Sequence, residues 1–525
     1  MAMHLEERAQ QKAMERWAKR VLELIAEGGV EDKASLSKVK GVAAGETGLS
    51  FVPRDSDLLA LLGDSDRERL VELLRVKPTR TRSGVAVVAV MTSPEDCPHG
   101  QCVPCPGGKK EGVPQSYTGF EPAARRAIAH GFDPYKQVTA RLNQLEETGH
   151  VTHKIDLIIM GGTFTARPWS YQEDFVKGCY DGLNGIRSED LGSSIKLNET
   201  ARHRCIGLTV ETRPDHFTQK EVAFCRDYGA TRVELGVQSI NDDVLDLIER
   251  GHGVSHSIEA TKLAKEAGMK VCYHMMPGLP KTTMGKDAED ILALFSNPSF
   301  CPDMLKIYPT LVVPGSKLHS WWERGDYQPP KEEETASMLA RVKPRLPPYV
   351  RIQRIERDIP VDKISAGIRR SDLRMLVKDE MQRSNKSCNC IRCREAGLSQ
   401  KINTQFDYHT VSWKTHSYEA SGGKELFISF EEEGVLYGYT RLRLDALATV
   451  RELKVLGGAV AIGKTPQKGS SQHQGMGSRL LEICEMLSKD EGYDQLRITA
   501  GVGVREYYRG ANYILKGTYM VKELA

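Results

Sequence analysis

The sequence predicts an α/β protein: a partial (β/α)6 barrel, then a cysteine-rich linker, then a smaller α+β domain. Apolar runs rich in β-branched residues alternate with helical patterns, as parallel strands joined by helices do. Each run ends in polar or glycine-rich residues, and in barrels of this type the carboxyl ends of the strands build the active site. The six predicted strands are residues 85–91, 155–160, 206–210, 232–237, 271–275 and 304–307.

The chain has 525 residues, which is too long for one ordinary core. We therefore expect four segments. In the first, which ends at residue 84, the helical patterns predict helices over 15–27 and 58–74. In the last, which begins at residue 407, we expect a hairpin of 426–430 with 435–444, strands at 450–455 and 496–500, and a helix over 479–489. The segments are a helical, basic segment over 1–84 that we expect to bind nucleic acid, the barrel over 85–314, the cysteine-rich basic linker over 315–406 and the α+β domain over 407–525.

The composition predicts a cytoplasmic protein without a membrane anchor. No apolar run approaches the length of a membrane span, and the first twenty residues are too charged for a signal peptide. Six of the twelve cysteines fall in two tight triplets. Such triplets favour metal sites in a reducing compartment over a framework of disulfides.

The first triplet, Cys97, Cys102 and Cys105, lies in a glycine-rich loop directly after the first predicted strand. Three thiolates on one short loop can hold a [4Fe–4S] cluster and leave one iron without a protein ligand. S-adenosylmethionine (SAM) can bind such an iron and be split by one electron. From the cysteine spacing alone, a zinc knuckle remains the alternative.

The second triplet, Cys388, Cys390 and Cys393, has no strand before it and no glycine-rich approach. A structural zinc site is the preferred interpretation, with one ligand still to be found. Candidates for that ligand are His409, His416 and Cys301. A reduced triplet without metal is the alternative.

Two basic stretches predict contact with nucleic acid. Residues 341–374 hold ten Lys and Arg against four Asp and Glu, whereas the net charge of the whole chain is only +3. Dense positive charge supplies the sequence-independent part of nucleic-acid affinity. A solvated linker or helix end is the alternative. We also predict a strand over 355–359. The predicted phosphate contacts are Arg75, Lys77, Arg80, Arg82, Arg351 and Arg354.

The cysteine loop and the glycine pair Gly161-Gly162 after the second strand resemble the radical-SAM superfamily. The resemblance implies that SAM is bound by Gly161, Gly162, Glu211 and Gln238. Two features depart from the common pattern: the first cysteine gap has four residues, and Pro104 stands where an aromatic residue is usual.

The loop Gln474, Gly475, Met476, Gly477 and Ser478 opens a predicted helix and resembles the acetyl-CoA loop of the GNAT acetyltransferases. Backbone N–H groups of such a loop bind the pyrophosphate. Downstream, Tyr507 and Tyr508 are the predicted catalytic residues. A protonated tyrosine can give a proton to the leaving CoA thiolate, and one of the two is expected to pack in the core.

Taken together, the motifs resemble the family of the Elongator catalytic subunits and their single-chain prokaryotic relatives, over nearly the whole chain. The compact cysteine loop suggests a prokaryotic source. The motifs are residues 97–108, 115–122, 160–164, 211–215, 234–239, 472–477, 501–509 and 519–524.

The resemblance implies a tRNA uridine(34) 5-carboxymethyl synthase. A SAM-derived radical would activate the acetyl methyl group for addition to uridine C5, with zinc in the linker and an electron donor as partner. It also implies tRNA-dependent hydrolysis of acetyl-CoA, by a single chain or a homodimer. The implied acetyl-CoA contacts, besides the loop above and Tyr508, are Lys154, Glu452, Leu453, Lys454 and Val455.

Two alternatives from other classes remain at this point. A protein lysine acetyltransferase with a structural Fe–S domain would need a peptide groove near Tyr508. A tRNA-binding module without catalysis would leave the cysteines and Tyr508 without a role. A basic surface that joins both domains would favour a tRNA acceptor.

Overall fold

The structure, a computed structural model, describes residues 2–399, 412–457 and 475–524. The chain forms two compact units. The first is Met1–Thr81 with Ala140–Thr152, and the second is Arg82–Thr139 with His153–Ala525. No helix in the described ranges combines the length and the apolar composition needed to cross a membrane.

The first unit is helical and has its own core around Trp17. Trp17 is fully buried, and its indole N–H donates to the carbonyl of Lys40. The sequence predicts one helix over 58–74, but the chain breaks it at Gly63, where the backbone is extended and a new helix starts with two acidic residues in its first turn. The helices are α1 (Ala2–Gly28), α2 (Lys33–Glu46), α3 (Asp55–Leu61) and α4 (Asp64–Leu74).

The second unit begins with a sheet of seven parallel strands in chain order. This confirms the half-barrel prediction and extends it by one strand. The strands are β1 (Ala86–Met91), β2 (Lys154–Met160), β3 (Arg204–Thr212), β4 (Arg232–Gln238), β5 (Lys270–Met275), β6 (Met304–Ile307) and β7 (Arg351–Arg354). The helices of this region are α5 (Pro122–Ala129), α6 (Pro134–Glu147), α7 (Trp169–Asn184), α8 (Leu191–Asn198), α9 (Gln219–Asp227), α10 (Asp242–Leu247), α11 (Val254–Glu266), α12 (Met284–Ser296), α13 (Lys317–Glu323), α14 (Glu332–Val342), α15 (Leu373–Arg383) and α16 (Ile391–Arg394).

The seventh strand corrects the prediction of a strand over 355–359. It lies four residues earlier, because Arg351 and Ile352 pair with β6 while Ile355 and Ile359 are buried without joining the sheet. All neighbouring pairs are parallel, so the carboxyl ends of the strands meet at one edge.

A mixed second sheet follows, in the order β13-β14-β12-β11-β10-β9-β8. Strand β11 pairs in parallel with β12 only over Ala448–Val450, and the two then diverge. The predicted hairpin and helix are present with longer bounds. The elements are β8 (Trp413–Ala420), β9 (Gly423–Glu432), β10 (Val435–Leu444), β11 (Ala448–Val455), α17 (Met476–Asp490), β12 (Gln495–Ile498), α18 (Arg505–Arg509), β13 (Ile514–Lys516) and β14 (Tyr519–Glu523).

A buried ion cluster joins the two sheets. Arg451 on β11 donates to Asp303, which precedes β6, at 2.7 and 2.9 Å, and to Glu425 on β9 at 2.8 and 3.0 Å. Lys265 of α11 lies 3.8 Å from Asp303 and 3.6 Å from Glu425. All four side chains are essentially inaccessible to water. Burial alone would raise the pKa of Asp303, but Arg451, Lys265 and Arg441 hold that pKa below its usual range.

We predict that Asp303→Asn destabilises the second unit by about 3–5 kcal/mol, because it leaves buried cations without a countercharge. The measurement is the midpoint of thermal or denaturant unfolding. Glu334→Gln removes a carboxylate from the exposed pair Lys331–Glu334 and serves as the control, with a change within about 0.5 kcal/mol. Equal midpoints for both variants would contradict the prediction.

We also predict that acid weakens this unit. The folded-state pKa of Asp303 lies below its ordinary value of 3.8, and that of Glu452 lies at about 2 against 4.5. Their stabilising contribution is therefore complete above those ordinary values and is lost as the pH falls through the folded-state pKa values. The unfolding midpoint should drop steeply between pH 4.5 and 2. A midpoint independent of pH over that range would contradict this assignment.

Candidate functional site

A pocket opens at the edge of the parallel sheet where the strands end, with an empty volume of about 1170 Å³. The cysteine loop contributes Cys97, Cys102, Pro104 and Cys105 to its wall. The strand ends contribute Gly162, Glu211, Gln238, Met276 and Tyr308. The last residue of β7, Arg354, and the segment after it, with Arg357 and Asp358, complete the wall. The structure thus brings the cysteine triplet, three predicted SAM contacts and part of the basic linker to one place.

The three thiols of the loop face hydrogen-bonding partners. The Sγ of Cys97 lies 3.4 Å from the hydroxyl of Thr163, and the Sγ of Cys105 lies 3.1 Å from the hydroxyl of Ser116. Gln115 donates its amide to the Sγ of Cys105 at 3.4 Å. Burial raises the pKa of Cys105 to about 11 as a free thiol.

A buried cation, Arg250, stands beside the remaining thiol of the triplet, that of Cys102. Arg250 donates to the Sγ of Cys102 at 3.5 Å and to the carbonyl of Gly236. Donors aimed at sulfur stabilise the thiolates of an iron–sulfur centre and tune it. The three thiols therefore fit a cluster held at the end of β1.

The glycine pair after β2 fits the same picture. A Cβ on Gly161 would lie 2.0 Å from the hydroxyl of Thr92, and Gly161 has φ +130°. Gly162 has φ +81°, and a Cβ there would lie 3.9 Å from the Sγ of Cys97. Only glycine meets these conditions without strain, and it leaves backbone accessible next to the cysteines.

A charged network that the sequence analysis missed lies behind the pocket. Lys306 on β6 donates to Glu211 at 3.1 Å and forms a shorter contact with Glu234. His274 contacts Glu234 at 3.0 Å, and the hydroxyl of Tyr117 donates to Glu211 at 2.9 Å. In the sequence, the signal that could have indicated this network is the presence of charged residues inside otherwise apolar strands.

Part of this network also has the geometry of a metal-binding group. Ligand atoms of Glu234, Cys272 and His274 all lie within 4.8 Å of one another. The ammonium of Lys306 already supplies the positive charge there, and it holds the pKa of Glu234 well below its usual value although burial opposes this. We therefore interpret the group as an ion network.

The predicted phosphate contacts at β7 divide into two. Arg351 is buried: its guanidinium binds Glu395 through both nitrogens at 3.0 and 3.1 Å. The charge of Arg351 is therefore already paired inside the protein, and its assignment as a phosphate contact stays a prediction. Arg354 is exposed, pairs with Asp358 and lines the pocket. We call Arg354 and Arg357 the basic rim.

The predicted contacts further upstream also differ from one another. Arg75 is half-buried, binds Glu72 at 2.6 and 2.8 Å and donates to the carbonyl of Gly149. Lys77 and Arg80, in the first unit, and Arg82, in the second, are exposed. The guanidinium of Arg75 is thus already bound to a carboxylate and a carbonyl of the first unit.

In the second triplet, the Sγ atoms of Cys388, Cys390 and Cys393 all lie within 4.8 Å of one another. The Nζ of Lys343 stands 3.5 Å from Cys393. Three clustered sulfurs fit a structural zinc. Of the candidate fourth ligands, His409 lies outside the described residues. Cys301 instead contacts the carbonyls of Asn297 and Glu419, and His416 packs against Tyr349 and Tyr418.

The predicted acetyl-CoA loop opens α17. Gly475 precedes the helix with φ +95°, and a Cβ on Gly477 would lie 2.9 Å from the hydroxyl of Tyr507. Ser478 stands 3.4 Å from the same hydroxyl. The first N–H groups of this helix, at Met476–Ser478, have no acceptor within the helix itself, as an anion site requires. Gln474 lies outside the described residues.

The two tyrosines differ in burial. Tyr508 packs in the core of the second sheet, whereas Tyr507 is 43% exposed. Burial raises the pKa of both hydroxyls, so both stay protonated at neutral pH.

The remaining predicted contacts lie on β11 and at the start of β2. Burial lowers the pKa of Lys154 to about 8, and burial together with Arg351 lowers the pKa of Lys454 to about 8. Glu452 binds Arg441 at 2.9 Å and lies 3.9 Å from Lys270. Leu453 and Val455 are half-buried beside the core of the second sheet.

Comparison with known proteins matches three family descriptions to the chain. The radical SAM superfamily covers residues 93–295, the Radical_SAM C-terminal domain covers 302–383, and the ELP3 N-terminal domain covers 14–82.

Whole proteins match as well. The chain is 43% identical to a tRNA uridine(34) acetyltransferase of Methanocaldococcus jannaschii over 543 residues, which cover all of both chains. It is 40% identical to Elongator complex protein 3 of Danio rerio over 528 residues, 96% of each. The solved structure of the archaeal Methanocaldococcus infernus Elp3 with an N-terminal deletion matches with a TM-score of 0.74 at 41% identity, covering 85% of this chain and all of that one. The chain therefore belongs to the family that contains the tRNA uridine(34) acetyltransferases and Elongator complex protein 3.

Proposed function

We propose that this protein is an enzyme that modifies the wobble uridine of tRNA at C5, forming 5-carboxymethyluridine from acetyl-CoA by means of a SAM-derived radical. One observation carries the proposal: the cysteine triplet and the basic rim share a single pocket at the strand ends. A radical site needs the cysteines, and an RNA substrate needs the cations. Relatives that align with 98–100% of the chain carry the name tRNA uridine(34) acetyltransferase.

In this proposal Cys97, Cys102 and Cys105 hold a [4Fe–4S] cluster. A cluster there would supply the one electron that splits bound SAM, and the SAM-derived radical could take hydrogen from an unactivated methyl group. Uridine C5 is too weak a nucleophile to attack such a methyl group directly. The chain's own part is to bind and orient: Gly162 and Gln238 give SAM a backbone and an amide to bind, and Lys306 fixes the carboxylate of Glu211 beside them.

Acetyl-CoA would bind at the start of α17, with its pyrophosphate on the N–H groups of Met476–Ser478. Tyr507 and Tyr508 are protonated and stand beside or beneath that loop, so either can give a proton to the CoA thiolate when the thioester is hydrolysed. Lys154 and Lys454, both partly buried, would be the cationic contacts of acetyl-CoA. Zinc on Cys388, Cys390 and Cys393 has a structural role.

A protein lysine acetyltransferase is the competing function. It gives no role to the pocket of the parallel sheet. Mass spectrometry of tRNA nucleosides after anaerobic incubation with SAM, acetyl-CoA and a reductant separates the two, because only the proposed enzyme yields 5-carboxymethyluridine. Acetylated lysine with unmodified tRNA would establish the competitor.

We predict that anaerobically reconstituted protein binds one [4Fe–4S] cluster and that Cys102→Ser abolishes it. Removing one of three thiolates leaves too few ligands to retain the iron. The measurement is iron content with electron paramagnetic resonance. Cys225→Ala removes a buried thiol on α9 far from this loop in sequence and is the control. Stoichiometric zinc without iron in the loop of the wild-type protein would overturn the radical assignment.

We predict that acetyl-CoA hydrolysis requires tRNA and that Tyr508→Phe abolishes it. The variant keeps the ring in the core but loses the proton donor, so binding of acetyl-CoA and tRNA should stay within about twofold while turnover falls at least a hundredfold. Release of free thiol is the measurement, with Tyr507→Phe run in parallel to apportion the role between the two hydroxyls. Tyr493→Phe is the control, because that hydroxyl donates to the carbonyl of Asp445 in the turn after β10. Equal hydrolysis with and without tRNA would refute the coupling.

A further inference from the structure

An aromatic side chain stands exposed beside the pocket, and the chemistry proposed above does not use it. The ring of Phe120 is 46% exposed, although its neighbours Tyr117 and Glu121 line the pocket. Single exposed apolar residues are common and need no explanation. What distinguishes Phe120 is how its loop is held and what surrounds the ring.

The backbone on either side of the ring is fixed. The carboxylate of Glu121 accepts hydrogen bonds from the N–H groups of Thr118 at 3.0 Å and Gly119 at 3.1 Å. The N–H of Phe120 donates to the hydroxyl of Thr118 at 3.3 Å. Gly119 has φ +86°, and a Cβ there would lie 2.9 Å from a methyl group of Val113. The ring is therefore presented by a loop that is already ordered, which lowers the entropic cost of binding through it.

Cations of the basic linker surround this loop. The Nζ of Lys363 lies 4.3 Å from the centroid of the Phe120 ring. Arg357 donates to the carbonyl of Ser116 at 2.6 Å and, with Arg354, lines the pocket. An exposed ring flanked by cations is the combination that binds single-stranded nucleic acid, with the ring under a base and the cations near phosphates.

We infer that Phe120 is a stacking platform for a nucleotide that flanks the wobble uridine in the anticodon loop, with Lys363 near the adjoining phosphate. The inference rests on the proposed function. A uridine whose base enters the pocket must leave its stack, so the neighbouring base loses a partner. A ring at the mouth of the pocket replaces that partner and favours the flipped state over the stacked one.

The test uses the full chain without cluster, so that it does not depend on catalysis. Anticodon stem-loop RNA carries 2-aminopurine at either position next to the wobble uridine, which reports stacking by its fluorescence. Phe120→Ala should weaken binding about tenfold or more and raise the fluorescence of the bound RNA at one of the two positions. Phe120→Trp should restore both readouts, and Lys363→Met should lower the salt dependence of binding by about one phosphate contact.

The matched control is Met486→Ala, an apolar side chain with the same exposure on α17, which should leave both readouts unchanged. The inference would be overturned if Phe120→Ala bound the RNA as tightly as the wild type and with the same fluorescence. It would also be overturned if the variant changed the self-association of the protein and neither of these readouts. If the wild type binds RNA with a wobble uridine and Phe120→Ala binds it equally well, the platform fails and the proposed function stands. If the wild type binds no anticodon RNA at all, both fail.

Discussion

The second unit depends on the ion cluster of Arg451, Asp303 and Glu425. Each of these side chains is buried, and each comes from a different element. A buried charge that loses its partner is far more costly than an exposed one, so the arrangement tolerates only one position of the second sheet on the first. Arg451 also donates to the carbonyl of Met269, just before β5. The cluster therefore fixes β11, and with it Glu452 and Lys454, at the amino ends of the parallel strands.

Strand β6 transmits this constraint to the pocket. Asp303 precedes the strand, Lys306 lies within it and Tyr308 follows it. Their side chains belong, in order, to the ion cluster, to the network with Glu211 and Glu234, and to the pocket wall. A shift of the second sheet would reach Glu211 through this short strand. The two sheets of the unit are thus coupled by charge pairs as well as by apolar packing, and such pairs have little tolerance for displacement.

The sequence predicted those features that repeat or that follow a fixed spacing. Six strands and the cysteine loop were found because apolar runs and short motifs are local signals. The network of Lys306, Glu234 and His274 was missed because a charge within an apolar strand gains its meaning only from partners far away in the chain. The burial of Arg351 could not be predicted for the same reason: composition counts a cation but does not show that Glu395, 44 residues later, pairs with it. Which of Tyr507 and Tyr508 is buried could also not be predicted, because it depends on how the core of the second sheet packs around them.

The implied acetyl-CoA contact Lys154 and the pocket of the cysteines lie at opposite ends of strand β2, and this sets a condition on the chemistry. Strand β2 begins at Lys154 and ends at Met160, which lines the pocket next to the glycine pair. Seven residues of strand span about 20 Å. The barrel interior along this line is occupied by Arg232, which binds Asp156 at 3.2 Å and lies 3.5 Å from Glu234. An acetyl group held near Lys154 must therefore cross a charged interior, or approach around it, before its methyl group meets a radical formed at the cysteines. Binding of tRNA at the mouth of the pocket would then have to act over the length of the strands, and β6 with its charge pairs is the element that already connects the two ends.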